Sequence, residues 1–180
     1  LPDIEIDKAS GTLTLSSIIR TTNDWTYTAG TLDATTNDST VVFGSTVDRT
    51  ITGSHTLDNV TFNLTDGYIA TVANSNTLTV AGTLTLTNGF INQTTIPATG
   101  SIAAQGNITQ GTGFDGGTGR IEINGTGAQT FTGSGDATLG NLPDIEIDKA
   151  SGTLTLSSII RTGNDWTYTA GTLDATTNDS

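Results

Sequence analysis

LPDIEIDKASGTLTLSSIIRTTNDWTYTAGTLDATTNDS, residues 1–39, returns almost letter for letter as residues 142–180, and only Thr22 against Gly163 differs. The offset is 141 residues. Self-similarity at a fixed period is the signature of repeat architecture, in which each unit buries its apolar surface against its neighbours. The second copy stops where the first continues into Thr40-Val41-Val42-Phe43. The chain is therefore expected to be a window on a longer tandem array, with residues 1–141 as one full long repeat and 142–180 as the start of the next.

Within the repeated stretch, Ile4-Glu5-Ile6, Thr12-Leu13-Thr14-Leu15 and Trp25-Thr26-Tyr27-Thr28 alternate apolar with polar residues, the period of a strand with one buried face. The pattern continues through Val41-Val42-Phe43, Thr50-Ile51-Thr52, Val60-Thr61-Phe62, Thr77-Leu78-Thr79-Val80, Thr83-Leu84-Thr85-Leu86, Ile121-Glu122-Ile123 and Thr130-Phe131-Thr132. Turn-forming clusters such as Asp66-Gly67, Asn74-Ser75-Asn76 and Asp115-Gly116-Gly117 separate these runs. Thr supplies 40 of the 180 residues and Gly 22, whereas Lys and Glu together supply five and Met none, so essentially no helix is expected. A weaker half-period runs inside the long one, because GTLTL recurs at Gly11, Gly82 and Gly152.

Short strands, frequent turns and nested repeats leave a sandwich array or a coiled solenoid. Hairpin signals are thin, with Asn88-Gly89 and Asn124-Gly125 the two Asn-Gly pairs. In-register ladders of Thr, Asn and aliphatic residues suit stacked parallel coils. The reading is an all-β, parallel β-solenoid, right-handed because crossovers prefer that hand. Its core is expected to contain Ile4, Ile6, Leu13, Leu15, Phe43, Ile51, Phe62, Leu64, Leu78, Val80, Leu84, Leu86, Ile121, Ile123 and Phe131. With roughly 20 to 24 residues per coil, one long repeat should hold about six or seven coils and rise ~30 Å.

The net charge of −12 with six basic residues argues against nucleic acid as a partner, since phosphate binding needs clustered Lys or Arg. Cysteine is absent, which excludes disulfides and thiolate metal sites, and no apolar run is long enough to span a membrane as a helix. Asp3, Glu5 and Asp7, with their twins Asp144, Glu146 and Asp148, share one strand face; they could offer oxygens to Ca2+, but such a row also serves as a solvated acidic face that discourages edge pairing. Residues 111–119, GTGFDGGTG, resemble a calcium-binding nonapeptide, yet Ile121 stands where its Asp belongs. Trp25 and Tyr27, with Trp166 and Tyr168, are either core-filling rings or platforms for sugars. His55 has no second His or Cys to share a metal and is given no role.

Asn-x-Ser/Thr triplets occur at Asn37, Asn59, Asn63, Asn92, Asn107, Asn124 and Asn178, sites that can carry glycans in some secreted proteins. Thr-x-Thr pairs at Thr12/Thr14, Thr50/Thr52, Thr77/Thr79, Thr83/Thr85 and Thr130/Thr132 raise ice binding, but their irregular spacing counts against a ranked hydroxyl array. A polysaccharide-active enzyme would need a cleft pairing carboxylates, and nothing separates the acidic rows from surface charge. No catalytic, cofactor-binding or metal-ligating residue is assigned.

In its GTLTL runs, Asn/Gly turns, threonine surplus and acidic balance, the whole chain resembles the β-solenoid shafts of large bacterial surface and secreted proteins, such as filamentous-haemagglutinin-like adhesins and autotransporter passengers. The resemblance implies an extracellular fibre or stalk at the cell surface, whose partners are its own copies stacked head to tail. The functional expectation is a structural repeat segment without catalysis; a carbohydrate-binding repeat module, contacting glycans or cell surfaces, is the alternative. Neither end changes composition as a cap would, so the isolated chain is expected to associate through its ends.

Overall fold

The computed structural model describes residues 1–93, 100–134 and 138–176. Among them there is no helix, and sixteen strands form one continuous parallel sheet. In chain order they are β1 (Ile4–Thr14), β2 (Ile18–Thr21), β3 (Trp25–Asp33), β4 (Thr40–Phe43), β5 (Arg49–Thr52), β6 (His55–Leu57), β7 (Asn59–Asn63) and β8 (Ile69–Val72). The remainder are β9 (Thr77–Val80), β10 (Leu84–Gln93), β11 (Ser101–Ala104), β12 (Ile108–Gly116), β13 (Arg120–Ile123), β14 (Gln129–Thr132), β15 (Asp144–Ser157) and β16 (Trp166–Asp174). The coils stack into about 7 turns of a β-solenoid.

Each coil contributes to three faces. One face runs from the first half of β1 through the first half of β3, β5, β8 and the second halves of β10 and β12 to an isolated bridge between Asp115 and Asn141. A second stacks β6, β9, β11, β13, and the first halves of β15 and β16. The third stacks β2, β4, β7, the first halves of β10 and β12, β14, and the second half of β15. Asn88-Gly89 makes no hairpin. It lies inside β10, where Gly89 at φ 92° turns the chain from the third face to the first.

Alternation explains why one side of every strand is buried. Thirteen of the fifteen expected core residues are buried, and Ile4 and Leu13, on the first coil, pack half-buried against them. Aromatic rings meet in the core: Phe43 stacks on its register partner Phe62 with ring centroids 5.2 Å apart, and Trp25, coming from the first face, meets Phe43 edge-on at 6.0 Å. At the corners, side-chain oxygens accept strand N–H groups from the next coil, as Asp24 does from Thr50 at 2.7 Å and Asn59 from Thr83 at 2.8 Å. Those bonds satisfy backbone donors that the ladder leaves free where the chain bends.

The two copies of the repeated stretch do not occupy the same face. Ile4 and Ile6 stack on Trp25 and Tyr27 in the first face, whereas Ile145 and Ile147 stack on Ile121 and Ile123 in the second. Following the first face from Ile4 to Asn141 takes six coils, and Ile145 lies one face further on. The 141-residue period therefore closes on six coils plus a third of a turn.

Candidate functional site at the junction of the two copies

Where the second copy begins, β15 seats on the coil formed by β13 and β14. Its first half pairs with β13, Arg120 opposite Asp144 through Ile123 opposite Ile147, and its second half pairs with β14, Gln129 opposite Leu154 through Thr132 opposite Ser157. Inward, Ile121, Ile123, Ile145, Ile147 and Leu154 are all buried. Outward, Glu122 and Glu146 face each other in register, a like-charge pair that would oppose stacking. Arg120 resolves the conflict: its guanidinium donates to the Glu146 carboxylate at 2.9 Å and lies 3.7 Å from that of Glu122. Asn124 donates to Glu122 as well, at 2.9 Å. With Arg120 42% exposed, this cluster contributes on the order of 0.5 to 1 kcal/mol.

Between the two halves of β15 the chain turns a corner, and there Lys149 points inward with 1% of its surface exposed. Its ammonium donates to the carbonyl oxygens of Gly125 and Gly127 and to the Gln129 side-chain oxygen. The Gln129 amide in turn donates to the carbonyls of Ala104, at 3.1 Å, and Gly106, one coil further back. Burial pushes the Lys149 amine below its usual 10.5, while three oxygens around one nitrogen favour the ammonium. Ser151 adds a bond to the Thr126 carbonyl at 2.8 Å. Gly152 follows at φ 74°, and a Cβ there would stand 2.2 Å from the Gly127 oxygen.

The first copy offers the same surface without the coil beneath it. Gly11 has the same φ of 74° and nothing within 4 Å of an added Cβ. Lys8 is only half-buried, and no hydrogen bond or ion pair of its side chain occurs among the described residues. Glu5 keeps the bond from Thr28, as Glu146 keeps that from Thr169, but has no arginine. The geometry of Lys149 is thus supplied by the coil that precedes it and is not intrinsic to the repeated sequence.

No family model, curated protein or solved structure matches the chain. What the molecule offers is its own geometry, and the remaining candidates resolve as follows. Asp3 and Asp144 accept backbone N–H bonds from Asp24 and Asp165, and among the described residues no group of three His, Cys, Asp or Glu could hold a metal ion. Residues 111–119 end β12, and a Cβ on Gly117 would meet the Ile91 carbonyl at 2.2 Å, so glycine serves close coil stacking there. Trp25 is 1% exposed, which removes it as a sugar platform; Tyr27 is half-buried, Trp166 is half-buried, and Tyr168 is 52% exposed on the last described coil.

His55 has a role that its isolation in sequence concealed. Its Nδ1–H donates to the Gly53 carbonyl at 2.7 Å, leaving Nε2 to accept the Trp25 indole N–H at 2.9 Å, and the ring lies against Tyr27 at 5.3 Å. Burial pushes its pKa below 6.5. Among the triplets, Asn37, Asn59 and Asn124 use their amide nitrogens in hydrogen bonds, Asn63 is exposed, and Asn178 lies outside the described residues.

Proposed function

We propose that the chain is a spacer segment of an extracellular filament, fibre or adhesin stalk, extended by repetition of the 141-residue unit. The observation that carries this reading is the junction: one copy continues the sheet of the other through β13, β14 and β15 with unbroken pairing, a buried lysine and an ion pair at the join. A joint of that kind makes neighbouring units one rigid body, which multiplies length more directly than it multiplies chemistry. The acidic balance supports solubility and repulsion between filaments, and the absence of cysteine is compatible with export. Its partners are its own copies along the axis. Burial of Trp25 counts against the carbohydrate-binding alternative.

Chains of one, two and three units, measured by small-angle scattering, test the reading. Each added unit should lengthen a stiff rod by ~30 Å at a coil spacing of ~4.8 Å. Units that tumble independently on flexible joints would refute it. Surface labelling of intact cells of the source, with an antibody raised against the chain, tests the extracellular placement separately.

A further inference from the structure

The third face carries two rows of side chains that the spacing of Thr-x-Thr pairs in the sequence conceals. Register pairing places Thr61, Thr85, Thr109, Thr132 and Ser157 side by side on five successive coils. Two residues earlier on each strand lie Asn59, Thr83, Asn107, Thr130 and Thr155. Between the rows Val60, Leu84, Ile108 and Phe131 turn inward and are buried, which fixes the outward direction of their neighbours. The irregularity is absorbed at the corners: Thr50/Thr52 and Thr77/Thr79 fall on the other two faces, while Thr83/Thr85 and Thr130/Thr132 align here with Thr61 and Thr109. Uneven spacing in the sequence, which counted against a ranked array, is thus compatible with one on this face.

Three properties define what this surface can recognise. Its first row spaces hydroxyls ~4.8 Å from coil to coil on five coils, and roughly 6.7 Å away along the strands the second row adds those of Thr83, Thr130 and Thr155. Threonine is stiff at χ1, so the lattice exists before any ligand arrives. None of the hydroxyls of Thr61, Thr83, Thr85, Thr109, Thr130, Thr132, Thr155 or Ser157 has a protein partner among the described residues; Thr109 is exposed and the others are half-buried at the surface. Asn59 and Asn107 instead turn their side-chain oxygens to the Thr83 and Thr130 N–H groups and hold the rows in register.

The five coils that carry these rows are also uncharged on this face in an acidic chain; the one charged residue in register with them is Arg20 on β2, which lies beyond Val42 at the end of the Thr61 row. β7, β14 and the stretches of β10, β12 and β15 on this face contain no Asp, Glu, Lys or Arg, while Glu5, Asp7 and Arg49 lie on the first face and Arg120, Glu122, Asp144 and Glu146 on the second. A charged or flexible ligand gains nothing from such a surface. A rigid, uncharged, hydroxylic solid gains many weak contacts at once, with no ordering cost on the protein side.

We propose that the third face adsorbs to ice, with water ordered over the threonine methyls and bonded to the hydroxyl row from Thr61 to Ser157 and to Thr83, Thr130 and Thr155 as the anchoring layer. The oxygens of the prism plane of hexagonal ice repeat in two directions at close to the same two spacings. This inference stands apart from the filament reading, since it concerns one face of one unit.

The test is nanolitre osmometry on the whole chain at up to millimolar concentration, reading thermal hysteresis and crystal shape. The wild type should shape growing crystals into facets and open a hysteresis gap. A Thr85→Lys, Thr109→Lys double variant, set in the middle of the face, should lose both, while Thr71→Lys on the first face retains them; circular dichroism confirms that all three are folded. Round crystals and no gap for the wild type would overturn the proposal. So would equal loss in the Thr71→Lys control, or adsorption to crystalline cellulose or chitin without any effect on ice.

Discussion

Lys8 and Lys149 are the same residue in the same sequence, one without the preceding coil and one seated on it, so they form a built-in control. Replacing Lys149 by Met keeps the apolar volume of the stem and removes every donor, leaving the oxygens of Gly125 and Gln129 buried without the amine and that of Gly127 part-buried. An orphaned buried acceptor costs ~1–3 kcal/mol, and Gly127 sits where water can partly replace the amine, so the total should be about 3 kcal/mol. Replacing a whole buried ionic network by apolar groups is often neutral, but here only the cation is removed. Since 1.36 kcal/mol is a factor of ten, amide exchange in β15 should accelerate on the order of a hundredfold. Lys8→Met should change exchange in β1 by less than about threefold, the usual range for a surface site. Hydrogen exchange resolved to Ile145, Ile147 and Leu154 against Ile4, Ile6 and Leu13 measures both. Equal effects of the two substitutions, or an unchanged β15 in Lys149→Met, would refute the account of the junction.

The twin glycines give a second comparison: Gly11→Ala should cost about 1 kcal/mol for its positive φ, and Gly152→Ala clearly more because its Cβ meets the Gly127 carbonyl, as read by urea unfolding of each variant. Phe62→Ala empties a fully buried site stacked on Phe43 and should cost roughly 3–5 kcal/mol in the same assay. His55 is held neutral by burial, with a folded pKa below 6.5, so its contribution is complete above that value and is lost as pH falls beneath it towards the folded pKa. Melting curves from pH 7 to pH 4.5 should show a larger acid loss for the wild type than for His55→Gln; parallel curves would mean that the imidazole does not titrate with unfolding.

The strands, their inward residues and the solenoid class were legible because alternation depends on neighbours only two positions apart. Ile121, Phe131 and Leu84 announce their burial in that way, and the structure agrees. What pairs with what depends on where each corner turns, and corners are written in loosely determined Gly, Asn and Ser. GTLTL shows the limit: the run at Gly82 and the run at Gly152 both build the third face, while the run at Gly11 pairs Leu13 with Leu32 on another. The Lys149 cage was invisible for the same reason. Its oxygens lie 20 to 24 residues upstream, and the only local signal is a lysine beside a Ser-Gly corner. The hydroxyl lattice was hidden because Thr-x-Thr pairs of all three faces are interleaved in the sequence, so that the even succession of Thr61, Thr85, Thr109 and Thr132 is lost among Thr50/Thr52 and Thr77/Thr79.

The fractional closure of the period sets how units in a tandem array would meet their surroundings. Because each unit begins one face later than the last, any patch it bears walks round the axis, and only the fourth unit looks in the same direction as the first. A neighbour lying alongside would then meet the acidic, the mixed and the threonine-rich sides in turn, with no continuous seam along which two filaments could zip. An array of that geometry would resist lateral bundling by symmetry as well as by charge, with any one patch presented on every side in turn.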